Sequence, residues 1–138
     1  MMKLNFTNKT ETGIPAKSFE KLMQKGCEVV RAEIDGEIGL TLLDDSAIAE
    51  LNEEYRGKKG PTDVLTFSYL ESEEMPLDKC VGEIFISVET AKAQAAGELI
   101  DELKVLFVHG FLHIFGFGHE NDEEEAFMEK MALKILEN

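Results

Sequence analysis

Long hydrophobic runs, cysteines and basic residues are all scarce in this 138-residue sequence. No apolar segment approaches the ~20 residues that a transmembrane helix needs, so a membrane-spanning helix is excluded. The first residues, Met1–Phe6, lack the hydrophobic region of a secretory signal, and no export is expected. Cys27 and Cys80 belong to no CxxC pair. They favour two reduced, buried thiols in a cytoplasmic protein, although the sequence leaves a bridge between them open.

The shortage of basic residues is severe but uneven. The chain has 14 lysines and arginines against 28 acidic residues, a net charge of −14. Such a charge argues against a nucleic-acid partner, because phosphate binding depends on Lys and Arg. Residues 1–61, however, hold nine basic and eleven acidic residues, whereas residues 62–138 hold five and seventeen. A local basic surface therefore remains open beside the alternative of solvated surface charges, its candidates being Lys17, Lys21, Lys25, Arg31, Arg56, Lys58 and Lys59.

The spacing of apolar residues predicts one α+β domain over residues 1–138, with a mixed sheet of about four strands covered by about five helices. No internal repeat or linker interrupts it. The predicted elements are a strand over 3–6, a helix over 16–30, a strand over 37–43, a helix from Asp45 or Ser46 to Tyr55, strands over 64–69 and 81–87, and helices over 88–98, 101–115 and 122–137. An acidic loop over 71–79 separates the last two strands.

Capping residues set several of these boundaries. Ser87 is predicted to cap the helix that follows the last strand. Asp122 and Glu125 have the spacing of a capping box, which predicts the start of the final helix. Apolar residues at helical spacing predict the buried faces of the last two helices, namely Leu103, Val105, Leu106, Val108, Leu112 and Phe115 in one and Phe127, Met128, Met131 and Ile135 in the other.

All three histidines of the chain fall within eleven residues. His109 and His113 are four residues apart and so neighbours on one helical face. Gly116 can adopt the left-handed conformation that ends a helix, which would let the chain return His119 to the same point. The spacing predicts a metal site formed by His109, His113 and His119.

Three converging imidazoles suit one Zn²⁺ ion per chain, with a fourth position left for water. This is the pattern of a catalytic site, in which the ion generates a hydrolytic nucleophile near neutral pH. Ni²⁺ and other divalent ions suit the same ligands.

The motif helix also has the spacing of the zinc metalloprotease pattern HExxHxxGxxH. Those enzymes carry a glutamate as general base after the first histidine, whereas this chain has Gly110. The substitution argues against peptidase activity.

Three segments resemble the YbeY family, bacterial endoribonucleases of rRNA maturation. They are His109-Gly110-Phe111-Leu112-His113-x-x-Gly116-Phe117-x-His119; Asn52-x-x-Tyr55-Arg56-Gly57 followed by Pro61-Thr62-Asp63-Val64-Leu65-Thr66-Phe67; and Gly82-Glu83-Ile84-Phe85-Ile86-Ser87. The resemblance covers nearly the whole chain. It implies a zinc-dependent, single-strand endoribonuclease that processes the 3′ end of 16S rRNA and acts in ribosome quality control, with the ribosome or its small subunit as partner.

The chain departs from the family pattern at three positions. Thr66 replaces the usual Ser and Glu83 the usual Asp, and both keep a polar group. Gly118 replaces the Asp that usually precedes the third histidine, which leaves the general base unidentified. Glu120 is a candidate, although an acidic residue before a helix is also explained by the helix dipole.

Arg56 is the predicted catalytic residue outside the histidine motif. It lies in a glycine-flanked turn, from which a guanidinium can bind a phosphate through two hydrogen bonds. In the family that the chain resembles, the matching arginine is implicated in activity. The alternative is an arginine that stabilises a helix C-terminus. Thr62 and Asp63 are candidates for the same cleft, or ordinary turn residues.

Two other functions compete with the endoribonuclease. One is a non-catalytic ribosome assembly factor that a structural metal stabilises, which a fourth protein ligand would favour. The other, less favoured, is a zinc peptidase or related hydrolase. No membrane partner is expected, and the sequence predicts no oligomeric state.

Overall fold

The order of strands and helices follows the sequence pattern. A computed structural model describes residues 1–70, 79–118 and 120–137. Its strands are β1 (Met2–Asn8), β2 (Gly36–Leu43), β3 (Val64–Ser68) and β4 (Cys80–Ser87). Its helices are α1 (Lys17–Val30), α2 (Asp45–Arg56), α3 (Val88–Gln94), α4 (Leu99–Ile114) and α5 (Asp122–Leu136). The predicted α+β class, with a four-stranded sheet and five helices, is confirmed.

The sheet is mixed, with the strand order β1-β2-β4-β3. β1, β2 and β4 run parallel, and the edge strand β3 runs antiparallel to β4. Parallel neighbours need a crossover connection, and α1 supplies it between β1 and β2. In the antiparallel pair, Thr66 lies opposite Ile84 and Phe67 opposite Glu83. These two positions mark the opposite faces of the sheet, because side chains alternate along a strand.

The two faces of the sheet are covered by different helices. α4 packs on the face of Thr66 and Ile84, and α1 and α5 pack against α4. α2 packs on the other face, where Ile48 and Leu65 are fully or almost fully buried together with Leu43. α4 therefore lies at the centre of the larger core, in contact with sheet and helices alike.

Glycines let α4 approach its neighbours closely. A Cβ atom on Gly82 of β4 would lie 2.6 Å from Cγ1 of Ile114 in α4. A Cβ atom on Gly26 of α1 would lie 2.6 Å from Cε1 of Phe111. Real Cβ contacts are not that short, so only glycine fits at either position.

Several helix boundaries differ from those predicted. Asp44, rather than Asp45 or Ser46, caps α2 by accepting from the backbone N of Ala47. Asn121, rather than Asp122, caps α5 by accepting from the backbone N of Glu124, so the predicted capping box is wrong by one residue. In both cases two adjacent residues could cap the helix, and the first of the two has the extended backbone that a cap requires.

Helix α3 ends earlier than predicted and α4 begins earlier. Ala95 and Glu98 adopt extended backbone conformations, which separate the two helices at residues 95–98. Ser87 caps α3 as predicted, accepting from the backbone N of Thr90. The acidic loop predicted over 71–79 falls almost wholly outside the described residues.

Most of the predicted core is buried, but Phe127 is 53% exposed, so its assignment to the core is wrong. Its ring stacks on Phe117 instead, with the centroids 5.8 Å apart. Met128 and Ile135 are buried as predicted. No helix within the described residues combines the length and hydrophobicity that crossing a membrane requires.

We predict that Gly82→Ala lowers the free energy of unfolding by about 1–3 kcal/mol, because the added methyl group overlaps the branched side chain of Ile114. Gly97→Ala is the matched control, since nothing lies within 4 Å of a Cβ atom there. It should leave stability unchanged or raise it slightly. Urea unfolding of both variants measures the difference, and equal stabilities would contradict the packing argument.

Candidate active site

His109 and His113 lie on successive turns of α4 and line one cleft between α4, α5 and the start of β3. We call it the histidine cleft; the residues that line it are Asp63, Val64, Leu106, His109, His113, Glu125, Met128 and Glu129. The predicted pairing of two histidines on one helical face is thus present in the fold. Both side chains are partly buried, so they are positioned by packing and still open to a ligand.

A hydrogen bond orients the imidazole of His113. Its Nδ1 lies 3.0 Å from the carbonyl oxygen of Phe117. A carbonyl can only accept, so Nδ1 carries the proton and, in the neutral ring, Nε2 carries the lone pair that binds a metal. Gly116, with φ of 91°, turns the chain so that this carbonyl faces back toward the helix. The predicted left-handed glycine at the helix end is confirmed.

His109 is paired with a carboxylate from the neighbouring helix. Its Nε2 lies 3.1 Å from Oε1 of Glu129 in α5. Carboxylates that hydrogen-bond to ligand histidines orient the ring and add negative charge near a cation. Sequence reasoning missed this residue.

The sequence spacing of Glu125 and Glu129 could have indicated that these carboxylates belong to the site. Glu125 and Glu129 are four residues apart on α5, as His109 and His113 are on α4, so each pair lies on one helical face. The two helices pack together and bring both pairs to the histidine cleft. The predicted capping box accounts for Glu125 alone and gives Glu129 no role, so this second pattern was missed.

Asp63 joins the cleft from the sheet side. Its Oδ1 accepts from the backbone N of Val64 at 2.8 Å, and its Oδ2 accepts from Nε2 of Gln94 at 3.0 Å. Asp63 thus lies at the start of β3 and also lines the histidine cleft, and its part in the chemistry stays a prediction. Thr62 is not one of the described residues that line the histidine cleft.

The third predicted ligand, His119, lies outside the described residues. Within residues 1–70, 79–118 and 120–137, no three His, Cys, Asp or Glu side chains are grouped tightly enough to hold a metal ion. Two of the three predicted ligands are therefore brought together, and the metal site as a whole stays a prediction.

Gly110 faces the sheet. A Cβ atom there would lie 3.0 Å from Cγ2 of Ile84 and 3.1 Å from Oγ1 of Thr66. A larger side chain at this position would lie tightly against strands β3 and β4, so Ile84 and Thr66 would have to shift to admit it. Close packing therefore favours glycine where zinc peptidases carry their general base.

Gly118 has a carboxylate close by. A Cβ atom at Gly118 would lie 3.5 Å from Oε2 of Glu124, which also accepts from the backbone N of Glu120. Glu124 therefore brings negative charge to the place where the family's usual aspartate would begin, and the role of Glu120 stays a prediction.

Arg56 is exposed at the last position of α2, and Gly57 follows it in the left-handed conformation with φ of 67°. The predicted glycine turn is present. α2 lies on the face of the sheet opposite α4, and Arg56 is not among the described residues that line the histidine cleft. The catalytic role of Arg56 stays a prediction.

Comparison with known proteins identifies the family. A sequence profile described as Endoribonuclease YbeY matches residues 5–138. Endoribonuclease YbeY of Leptospira biflexa is 47% identical over 106 residues, covering 73% of this chain and 68% of that protein. Endoribonuclease YbeY of Geobacillus thermodenitrificans is 34% identical over 147 residues, covering 98% and 94% respectively.

A solved structure agrees with these relatives. The solution structure of TM1509 from Thermotoga maritima matches with a TM-score of 0.61 at 27% identity, covering 96% of this chain and 88% of that one. The shared fold extends over the sheet and helices that build the histidine cleft. The chain therefore belongs to the Endoribonuclease YbeY family, a family of hydrolytic enzymes.

Proposed function

We propose that this protein is a metal-dependent endoribonuclease that cleaves single-stranded rRNA in the cytoplasm. Its task would be maturation of the 3′ end of 16S rRNA and ribosome quality control, with the small ribosomal subunit presenting the substrate. The observation that carries the proposal is the histidine cleft, which puts two imidazoles beside three carboxylates in a member of this family.

The residues of the cleft fit a divalent cation. His109 and His113 supply imidazole nitrogens, and we propose His119 as the third ligand. The Phe117 carbonyl holds His113 in the tautomer that leaves Nε2 unprotonated. Zn²⁺ suits this nitrogen set best, and Ni²⁺ or another divalent ion is also compatible.

The charges around the cleft explain why a cation matters for an RNA substrate. Asp63, Glu125 and Glu129 line the cleft together with the histidines. Without a cation these carboxylates repel a phosphodiester, which is itself negative. A bound divalent ion would supply Lewis acidity toward a phosphoryl oxygen and activate water for hydrolysis.

Residues of the chain itself would then bind and orient the substrate. Leu106, Met128 and Val64 give the cleft an apolar lining, which strengthens nearby electrostatic interactions by excluding water. We assign phosphate binding to the Arg56 guanidinium, reached by an RNA strand that crosses the edge strand β3. A single strand can follow that path because its backbone bends freely, unlike a duplex.

One observation favours a second candidate. Glu129 is close enough to His109 to become a fourth protein ligand, and a closed set of four is typical of structural metal sites. The alternative is then a non-catalytic, metal-stabilised ribosome assembly factor. Peptidase activity is not proposed, because Gly110 packs against the sheet.

Cleavage by the wild type and by His113→Ala decides between these functions. The substrate is a short rRNA-derived single strand, and both proteins are purified identically with their metal content measured. We expect cleavage by the wild type, loss on chelation, recovery with added Zn²⁺, and almost no cleavage by His113→Ala. Equal cleavage by both proteins would reveal a contaminating ribonuclease. Absence of cleavage on naked RNA and on ribosomal subunits would favour the assembly factor.

Arg56→Ala should lower RNA turnover by about 10-fold or more, because a charge-assisted contact to the phosphate is lost. Metal content and unfolding midpoint should stay unchanged, since the side chain is exposed. Arg31→Ala, at another exposed arginine that ends a helix, is the matched control. A loss of stability with unchanged turnover would assign Arg56 to the helix C-terminus instead.

Glu129→Gln should weaken metal binding by about 10-fold, because it removes a negative charge 3.1 Å from the His109 imidazole, next to the proposed cation. Glu137→Gln removes the same charge from the exposed end of α5 and serves as control. Competition with a chromogenic chelator measures both affinities. Equal affinities would show that Glu129 only forms a surface ion pair.

A further inference from the structure

A second pocket lies on the face of the sheet opposite the histidine cleft. Four aromatic side chains form it, and we call it the aromatic pocket: Tyr55 of α2, Phe67 of β3, Phe85 of β4 and Tyr69 just after β3, together with Leu51 and Glu83. Its cavity of about 120 Å³ admits part of one planar ring system but not a base pair.

The rings of the aromatic pocket support one another edge to face. The centroids of Tyr55 and Phe67 are 5.4 Å apart with planes at 73°, and those of Phe67 and Phe85 are 5.9 Å apart at 81°. Phe67 and Phe85 are half-buried, whereas Tyr55 is 59% exposed. The inner rings therefore fix an outer ring that is accessible to a planar ligand.

A polar pair stands at one side of the aromatic pocket. The Tyr69 hydroxyl donates to Oε2 of Glu83 at 2.6 Å. Burial and this carboxylate raise the pKa of Tyr69, so the hydroxyl remains a donor at neutral pH. The Glu83 carboxylate has further lone pairs and can accept from an amino group. An aromatic ligand that bears an amine would match this arrangement.

The segment that follows Tyr55 in the chain carries positive charge. Arg56, Lys58 and Lys59 follow Tyr55 within four residues, and all three are exposed. Asn52 fixes their loop by donating from Nδ2 to the carbonyl of Gly60 at 3.0 Å. In a chain with a net charge of −14, this local concentration of cations is complementary to a phosphate backbone.

We propose that the aromatic pocket is a nucleobase subsite for single-stranded RNA. A base stacks on Tyr55, its exocyclic amine donates to Glu83, and the neighbouring phosphates bind Lys58 and Lys59. The subsite prefers cytosine to uracil, because uracil has a carbonyl where cytosine has the amine. The inference rests on the proposed function and deepens it by naming a second contact with the substrate.

The edge strand β3 connects this subsite with the histidine cleft. Val64, at its start, lines the cleft, whereas Phe67 and Tyr69 line the aromatic pocket on the other face. A single strand that crosses the exposed edge of β3 meets both sites. A rigid duplex cannot fold around a sheet edge, so the arrangement selects single-stranded RNA.

The test uses the tyrosines as probes. The chain has two tyrosines and no tryptophan, and both tyrosines line the aromatic pocket. We expect the hexanucleotide C6 to quench the tyrosine fluorescence of metal-free protein and of His113→Ala, and to bind several-fold more tightly than U6. Glu83→Gln should remove most of this preference, since its neutral amide replaces one acceptor oxygen by a donor.

Anisotropy of labelled C6 measures the variants independently of their own fluorescence. Tyr55→Leu should weaken binding at least about 5-fold, the lower end of what one stacked base contributes. Leu133→Ala, which alters an exposed apolar residue on α5, should not change it. Replacing Lys58 and Lys59 by glutamine should lower the slope of log Kd against log salt concentration by about 1.4, because two contacts with single-strand phosphates are lost.

Each outcome bears on one of the two proposals. Absence of quenching at millimolar C6, or equal affinities for Tyr55→Leu and Leu133→Ala, overturns the nucleobase subsite even if rRNA is cleaved. Equal binding of C6 and U6 overturns the role of Glu83. Quenching and tight C6 binding, with no cleavage by metal-loaded protein, retain the subsite and overturn the endoribonuclease.

Discussion

Close packing of helix α4 against the sheet is the constraint on which the rest of the structure depends. Ile114 occupies the space that a side chain at Gly82 would fill, and Phe111 does the same at Gly26 of α1. Ser68 adds a hydrogen bond at 2.7 Å from its hydroxyl to the carbonyl of Ile114, so the end of α4 is tied to the edge strand. The well-packed core therefore fixes the positions of the histidines. Catalysis requires that reacting groups be held in place in this way.

The distribution of charge divides the molecule into two kinds of surface. The histidine cleft gathers carboxylates from α5 and from the start of β3, whereas the loop after α2 gathers cations. A divalent ion suits the first surface and a phosphate backbone the second. An acidic protein can thus bind RNA if the acidic cleft binds the cation and the basic loop binds the phosphates. The edge strand β3 lies between these two surfaces.

The sequence predicted the fold well, because the signals for it are local. Short apolar, β-prone runs indicated the strands, and His109, His113 and Gly116 placed the motif on a helix end. Boundaries failed where two adjacent residues can both cap, as at Asp44 and Asp45 or Asn121 and Asp122. Glu129 and the aromatic pocket were missed, because tertiary packing of α5 and α2 decides which residues meet. Phe127 was misplaced since helical spacing alone does not tell which side of α5 faces α4.

The strand order also governs when the histidine cleft can form. β4 pairs with β2 across about forty residues of sequence, with Gly82 beside Ile38, and α4 packs on that pair. Contacts between such distant segments form slowly, because a long loop must close before they are made. The two histidines are neighbours on α4 itself, but the cleft around them is complete only when α4 and α5 have packed together on the assembled sheet. The histidine cleft is therefore among the last parts of the fold to form.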